Sequence, residues 1–444
     1  MRQRGADTRR HRDSRQTLPT GVDMGVLVQK YGGSSLADTE RLSAVASRVA
    51  ATHHSGAATV VVVSARGGAT DELLAQAAAA AGPAFGAQRL RETDQLLATG
   101  ETASASLLAL TLLGLGVPAV SLTGAQAGMS IVGKPGAGIV DRIDVTRIDE
   151  LLDEGNVVVV TGFQGQNADG DTVTLGRGGS DTSAVALAAA LGAERCEIFT
   201  DVDGVYSADP THVPDARKLP FVPAAVMAEM AFAGAKVLHP RAVELATLQG
   251  VELHVRTSLG TQEGTVVGEE KDFMTSLETG GAVVAITSDP DVARVLVHAR
   301  GRSDLAAEVL SILAQHAVPM DLVARSGPNE EEFRMGFTVR RSDVADIGPA
   351  LDKAIAVHGG EVRIDPDVAK VSLIGMGLLN RPEYVARMTA VLAAAGIATS
   401  WVSSSQLRAS VTVPADRRVQ ALCLLHKEFG QTEECADTEQ TVAL

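Results

Sequence analysis

The chain is 444 residues long, with a net charge of −15 at pH 7, 45% hydrophobic residues, 21% charged residues and 3% aromatics. At about 150 residues per domain this length excludes a single small module and predicts roughly two or three folded units. The acidic balance disfavours nucleic acid and anionic membranes, which repel such a surface.

In chain order, residues 1–23 come first, with Arg2, Arg4, Arg9, Arg10, Arg12 and Arg15 and almost no apolar side chains. That composition reads as a disordered tail, or as sequence ahead of a true start at Met24. From 26 to 255, β-branched runs at 26–31, 59–63, 117–120, 157–160, 196–200 and 251–255 alternate with Ala/Leu-rich stretches at helical spacing. Near-continuous apolar strands separated by helices predict an α/β fold with a doubly wound, mostly parallel sheet covered on both faces. Ligands of such sheets bind beyond the carboxyl ends of the strands. Residues 260–281, rich in Gly, Thr and Glu, read as a linker. An imperfect repeat follows: strand 294–298 and helix 306–317 resemble strand 370–374 and helix 384–395. Each pair continues into strands (320–324 and 332–339; 399–403 and 407–413) and a helix (344–357; 417–429), giving two βαββα units. No apolar run reaches about 18 residues. Cys196, Cys423 and Cys435 are spaced for neither a CxxC metal site nor a disulfide framework. A soluble, cytoplasmic protein with no nucleic acid and no membrane as partner is expected.

Three stretches of the first unit carry chemistry. In Lys30-Tyr31-Gly32-Gly33-Ser34-Ser35, paired glycines let backbone amides approach an anion and Lys30 adds a point charge. The spacing is not that of a Walker loop. In the run from Thr172 to Ser183, a Gly-rich turn opens a helix predicted at 184–191, and Arg177 offers a planar fork to a carboxylate. Asp181 suits a metal-bound phosphate or the substrate; alternatively Ser180 and Asp181 only cap the helix. Beyond the strand at 196–200, Asp201, Asp203, Gly204 and Tyr206 suit a nucleotide with its metal, or form an ordinary Asp-rich turn. Gly100-Glu101 and the segment from Ser64 to Asp71 are weaker signals at the same edge.

In this order, KYGGSS, VVVSARGGATD, ATGE, SLTGAQAG, GFQGQ with TLGRGGSDTSAVALAAALGA, EIFTDVDGVYSADP, VPDARKL and GAKVLHPRAVELA resemble the amino-acid kinase superfamily and, within it, the aspartate kinases. The resemblance runs from Met24 to Gly430, and the C-terminal repeat is similar to the tandem ACT modules of that family. It implies an amino-acid kinase fold over 24–259 and two βαββαβ ACT modules, 282–360 and 361–444, whose elements can interlace. It further implies ATP-dependent phosphorylation of the β-carboxylate of L-aspartate to 4-phospho-L-aspartate, the opening step toward lysine, threonine and methionine. Mg²⁺ would be held mainly through ATP phosphates, and the ACT modules would pair in a homodimer or larger assembly. The roles implied are Lys30, with Gly32 and Gly33, at the transferring phosphoryl group; Glu101 at the substrate amino group; and Arg177 at its α-carboxylate. Ser64, Thr70, Thr174 and Asp181 would complete the substrate and catalytic shell. Thr200, Asp201 and Tyr206 would hold the nucleotide, and Lys236 would reach its phosphates.

Two other readings stay open. Glu101 and Arg177 read only an amino-acid head group, which leaves room for a kinase of a related or modified amino acid. A non-catalytic ACT sensor subunit is the other, against which Lys30, Glu101, Arg177 and Asp181 argue together. Relative to the resembled family, Thr211 replaces an arginine, Arg66 a neutral residue, and Thr102-Ala103-Ser104-Ala105 follow Gly100-Glu101. Gly301 and Asp304 replace parts of a D-x-P-G turn, while Pro319 and Ala398 replace effector-facing asparagines. Glu383 adds a charge in the second repeat. The expectation is weak or absent inhibition by lysine and threonine.

Overall fold

The computed structural model describes residues 25–81, 87–269, 282–300, 305–326 and 332–430. The arginine-rich tail, linker residues 270–281, Gly301, Asp304 and Cys435 lie outside the described residues.

The first β-branched runs form strands β1 (Val26–Tyr31) and β2 (Ala58–Val63), joined by helix α1 (Thr39–His54), whose start is capped by Asp38 accepting from the Arg41 amide at 2.8 Å. Helices α2 (Ala69–Ala81) and α3 (Ala87–Gly114) and strand β3 (Ala119–Leu122) follow. Strands β4 (Met129–Lys134) and β5 (Ala137–Ile143) make a hairpin that turns at Gly136, where φ is 78°. Next come α4 (Thr146–Asp153), β6 (Val157–Thr161), β7 (Gln164–Gln166), β8 (Thr172–Thr174), α5 (Gly179–Leu191) and β9 (Arg195–Thr200). The ribbon β10 (Val205–Tyr206) and β11 (Lys218–Leu219) leads to β12 (Phe221–Pro223), α6 (Ala224–Phe232), α7 (Pro240–Gln249), β13 (Leu253–Thr257) and β14 (Thr265–Gly268).

The main sheet has the order β12-β14-β13-β9-β1-β2-β6-β3, parallel throughout except between β13 and β14. Side chains alternate across it with period two. Val60 and Val62 enter one core with Val185, Met227 and Val243, whereas Val61 and Val63 enter the other with Val45, Leu108 and Leu112. Two buried faces require strands that are apolar at every position, which is why the sheet is legible as runs of valine. By length and composition, residues 89–114 of α3 would suffice to cross a membrane. Here α3 lies on the sheet, with Ala105, Leu108 and Leu112 in the core and Asp94 and Glu101 buried.

A second, four-stranded sheet, β5-β4-β7-β8, was not among the expected elements. Its strands carry Gly133, Gly138, Gly165 and several polar residues, so they lack the β-branched signature. Gly138 and Gly165 admit the Ile131 side chain where a Cβ would collide with it.

The C-terminal part comprises β15 (Val283–Arg300), α8 (Leu305–Gln315), β16 (Asp321–Ser326), β17 (Glu332–Val339), α9 (Val344–Ala356), β18 (Glu361–Gly375), α10 (Pro382–Ala394), β19 (Val402–Ser404), β20 (Arg408–Pro414) and α11 (Arg418–Phe429). It forms one antiparallel sheet, β16-β17-β15-β18-β20-β19. Strands β15 and β18 pair almost end to end, with register shifts between Asp289 and Arg294. At that irregularity each strand changes core. Val283 and Ile286 pack with Leu373, Leu392 and Leu422, whereas Val295 and Val297 pack with Phe337 and Leu351, joined by Val362 and Ile364. The expected strands 294–298 and 370–374 are therefore one half of each, and polar residues around 288–291 and 365–367 conceal the continuation.

A buried charge cluster fastens this sheet to α6. Asp321 accepts from Lys370 Nζ at 2.9 Å and from Arg408 Nη1 and Nη2 at 2.6 and 2.9 Å, and Arg408 Nε lies 3.2 Å from Glu229. Both cations stand over the Phe232 ring, 5.0 and 5.1 Å from its centroid. Burial alone would raise the Asp321 pKa, but its bonds to Arg408 and the Lys370 charge hold it well below the usual carboxylate range. Removing the carboxylate leaves the buried Lys370 unpaired and Arg408 with Glu229 alone, so Asp321→Ala is expected to cost ~3–5 kcal/mol in urea unfolding at pH 7. The depressed pKa makes this stabilisation complete above about pH 4 and lost as pH falls toward the folded value. The gap between wild type and Asp321→Asn should accordingly narrow in acid.

Candidate active site

The carboxyl edge of the main sheet gathers the predicted residues. Lys30, near the end of β1, is 9% exposed and its Nζ lies 2.6 Å from Asp181 Oδ1 in the first turn of α5. The two charges form a buried ion pair. The pair also has the positive end of the α5 dipole beside its carboxylate. Gly32 donates to the Phe199 carbonyl at 3.2 Å, and Gly33 sits so close to the Ala65 carbonyl that any Cβ would collide with it.

Helix α5 starts at Gly179, five residues before the expected 184. Its N-cap is Gly178, in the left-handed region at φ 70°, with no capping side chain. Ser180 and Asp181 therefore lie inside the first turn, and the reading of them as caps is corrected. The His239 ring occupies the space a Cβ on Gly178 would need. With Gly176 also at φ 73°, the turn holds Arg177 out toward solvent, where it makes no hydrogen bond or ion pair among the described residues.

On the other side of Ala65, Glu101 of α3 is 3% exposed. Its Oε1 accepts from the Ala65 amide at 3.1 Å, and its Oε2 has no partner among the described residues. Burial pushes its pKa up to about 7, against the lowering effect of the Ala65 amide. Ser64 follows β2 and donates its amide to the Tyr31 carbonyl at 3.1 Å, and Thr70 stands in the first turn of α2. Arg66 bonds back to the carbonyls of Leu36 and Ala37 at 2.7 and 3.2 Å, bracing the turn after Lys30.

One residue that the sequence reading missed is Asp94. Two turns before Glu101 on α3, it accepts from Thr174 N at 2.7 Å, Thr174 Oγ1 at 2.8 Å and Gly136 N at 2.8 Å. Its pKa is raised by burial, partly offset by those bonds. The Thr174 hydroxyl is thus turned onto Asp94. The seven-residue spacing from Glu101, which puts both carboxylates on one helix face, is the signal that could have found it.

Thr200 Oγ1 bonds Asp201 at 3.0 Å, and Tyr206 donates to Asp203 at 2.7 Å. A cavity of about 260 Å³ is lined by Thr200, Asp201, Tyr206 and Lys236. A second, of about 510 Å³, is lined by Arg177, Asp181, Lys236 and His239 together with Asp289, Asp321, Arg340 and Lys370 of the C-terminal sheet. Lys236 lines both. Its loop approaches β15 at Gly234, where φ is 114° and a Cβ would lie 2.5 Å from the Ser288 carbonyl oxygen. Gly32, Gly33, Ser64, Thr70, Glu101 and Thr174 line neither cavity, and Lys30 joins the larger one through Asp181. Pro319 lines the larger cavity, Ala398 is exposed, and Glu383 is in the first turn of α10.

This doubly wound sheet with glycine turns at its carboxyl edge falls in the class described by the Amino acid kinase family, whose model matches residues 25–257; an ACT domain model matches 371–429. Among curated proteins, the aspartokinase of Thermus thermophilus is 41% identical over 410 residues, covering 91% of this chain and 99% of that one. The aspartokinase of Mycobacterium tuberculosis is 42% identical over 417 residues, covering 92% and 96%. The crystal structure of E. coli aspartokinase III in complex with aspartate and ADP (R-state) matches with a TM-score of 0.74 at 25% identity, covering 91% of this chain and 100% of that one. The chain belongs to the amino acid kinase family, as a member of its aspartokinases.

Glu101 generates a stability prediction. Its folded pKa lies above the unfolded value, so burying it costs nothing below about pH 4.5 and an increasing amount up to about pH 7, where the penalty is complete. Glu101→Gln should therefore melt like wild type at pH 4 and be more stable than it at pH 8, by up to ~3 kcal/mol at 1.36 kcal/mol per pKa unit. Scanning calorimetry at the two pH values checks it.

Proposed function

We infer that the chain catalyses ATP-dependent phosphorylation of the β-carboxylate of L-aspartate to 4-phospho-L-aspartate, the first step of the aspartate-family route to lysine, threonine and methionine, in the cytoplasm. The observation that carries the reading is the pair of adjoining cavities, one with Arg177 and Asp181 and one with the Thr200–Tyr206 loop, that share Lys236.

Arg177, uncommitted in its turn, clamps the α-carboxylate with two parallel bonds. Ionised Glu101 pairs with the ammonium through its free Oε2, and Ser64, Thr70 and Thr174, the last held by Asp94, complete the substrate shell. The nucleophile is a carboxylate with an ordinary pKa near 4, ionised at pH 7, so no general base is required. Lys30 neutralises charge on the transferring phosphoryl group, with the Gly32-Gly33 turn beside it, and catalysis is positioning plus electrostatics. Thr200, Asp201 and Tyr206 hold the nucleotide, while Lys236 reaches its phosphates.

Among the described residues no cluster of three His, Cys, Asp or Glu side chains forms a metal cage. Asp181, a carboxylate on the wall of the larger cavity, is the residue that would face a Mg²⁺ held mainly by phosphate oxygens. When bound, that ion neutralises phosphate charge. Assembly as a homodimer or larger is supported by the open edges of the C-terminal sheet at β16 and β19, which expose unpaired backbone groups. Pro319 and Ala398 offer no side-chain hydrogen bonds to an effector, which supports weak inhibition by lysine and threonine.

With Mg-ATP, hydroxylamine should trap an acyl phosphate from L-aspartate but not from glutamate or other acidic amino acids. Arg177→Lys loses the fork and should raise KM for aspartate by roughly tenfold or more while leaving KM for ATP nearly unchanged. Lys30→Ala should lower kcat by roughly two or more orders of magnitude, a loss expressed mainly in the transition state. Equal effects of Arg177→Lys on both substrates, or near-normal kcat in Lys30→Ala, would contradict the roles.

A further inference from the structure

The smaller cavity is not walled by the kinase unit alone. Ile286, Thr287 and Ser288 of β15 and Arg418 of α11 line it opposite Thr200, Asp201 and Tyr206. Arg418 is half-buried. Its Nη1 donates to Ser288 Oγ at 2.8 Å and its Nη2 lies 3.4 Å from His212 Nε2. No carboxylate pairs with it among the described residues. A guanidinium carries five donors, and most of these are uncommitted. A half-buried cation without a counter-ion, beside a cavity, is satisfied by an anion that enters it.

A second observation points to the same ligand. Thr287 is 6% exposed and lines the cavity, and its Oγ1 has no hydrogen-bond partner among the described residues. Buried hydroxyls are almost always bonded, so one left free at a cavity wall marks a place where a ligand bonds.

The placement of both groups is set by packing. Ala208 and Val213 of the loop between β10 and β11 belong to the same core as Ile286, Leu422 and Leu425. The Ile286 amide donates to the Ser207 carbonyl at 2.8 Å, Ser207 Oγ meets His426 Nε2 at 3.0 Å, and Cys423 Sγ donates to the His212 carbonyl at 3.3 Å. The loop that carries Tyr206 is thus built onto the C-terminal sheet, and α11 cannot shift without moving the cavity wall.

We propose that the C-terminal module completes the nucleotide site: Arg418 is a nucleotide-binding residue whose guanidinium meets an anionic phosphate oxygen of ATP, and Thr287 Oγ1 hydrogen-bonds the same nucleotide. The inference rests on the smaller cavity being the nucleotide site. It makes nucleotide affinity sensitive to the geometry of the C-terminal sheet.

Calorimetric ADP binding and steady-state kinetics on the full chain test it. Arg418→Ala should raise Kd for ADP and KM for ATP by roughly tenfold, with KM for aspartate changed less than about twofold. Arg418→Lys should restore part of the loss, and the difference from wild type should shrink in high salt. Thr287→Val, which keeps the shape, should weaken ADP by roughly threefold to tenfold. Ser288→Ala separates binding from structure: it removes the contact that holds Arg418 but keeps the charge, so it should cost less than Arg418→Ala. Unchanged ADP affinity in a folded Arg418→Ala protein would overturn the proposal, as would equal losses in Ser288→Ala and Arg418→Ala. Lys236→Ala tells the two levels apart. If it weakens ADP while Arg418→Ala does not, only this inference falls; if neither substitution changes ADP affinity, the reading of the cavity falls with it.

Discussion

The ion pair between Lys30 and Asp181 is the constraint around which the site is arranged. It joins the end of β1 to the first turn of α5, so the glycine turn after Lys30 and the Arg177 turn are held at a fixed separation. Its two side chains are only 11% and 12% exposed, and removing both charges from water costs much of what their attraction returns. The pair therefore contributes geometry more than stability. Glycine is required on either side of it, at Gly33 against the Ala65 carbonyl and at Gly178 against the His239 ring, because a Cβ would collide at both.

Groups without hydrogen-bond partners concentrate at this edge. Ser35 Oγ, Glu101 Oε2, Thr161 Oγ1 and His239 Nδ1 are all buried without a hydrogen-bond partner among the described residues, and all stand on segments that end at or approach the carboxyl side of the sheet. Thr287 Oγ1 of β15 and Arg417 Nε lie apart from this group, while Gln29, Glu197, Arg195 and Arg256 on β1, β9 and β13 satisfy one another in a network. Unsatisfied polarity is costly in a folded protein. Its clustering at the carboxyl edge suits a ligand-binding site, because a ligand supplies the missing partners.

The C-terminal sheet is bound into this arrangement at three places. The Asp321 cluster holds α6, Gly234 lets the Lys236 loop touch β15, and the loop after β10 shares a core with α11. Within the sheet, β15 and β18 each pass from one core to the other, so a displacement in one repeat is transmitted to its neighbour along a continuous backbone. The larger cavity has walls from both units, and any change in their relative position changes its shape.

Local periodicity determined the doubly wound sheet and the repeated helices and strands, and residue type marked the glycine turns at its edge, because a strand buried on both faces must be apolar at each position and a tight turn with close backbone approach favours glycine. Tertiary structure alone decided the rest. Asp94 pairs with Thr174 across 80 positions, and Asp321 with Arg408 across 87. Neither partnership leaves a trace in composition, since an acidic residue looks the same whether solvated or buried. The early start of α5 depends on two left-handed glycines, Gly176 against the Gly136 carbonyl and Gly178 against His239, and the continuity of β15 and β18 depends on pairing with each other through polar segments that read as turns. Residue type sets what a side chain is capable of; which group it meets is set by contacts between distant segments, and those form only when the chain has folded.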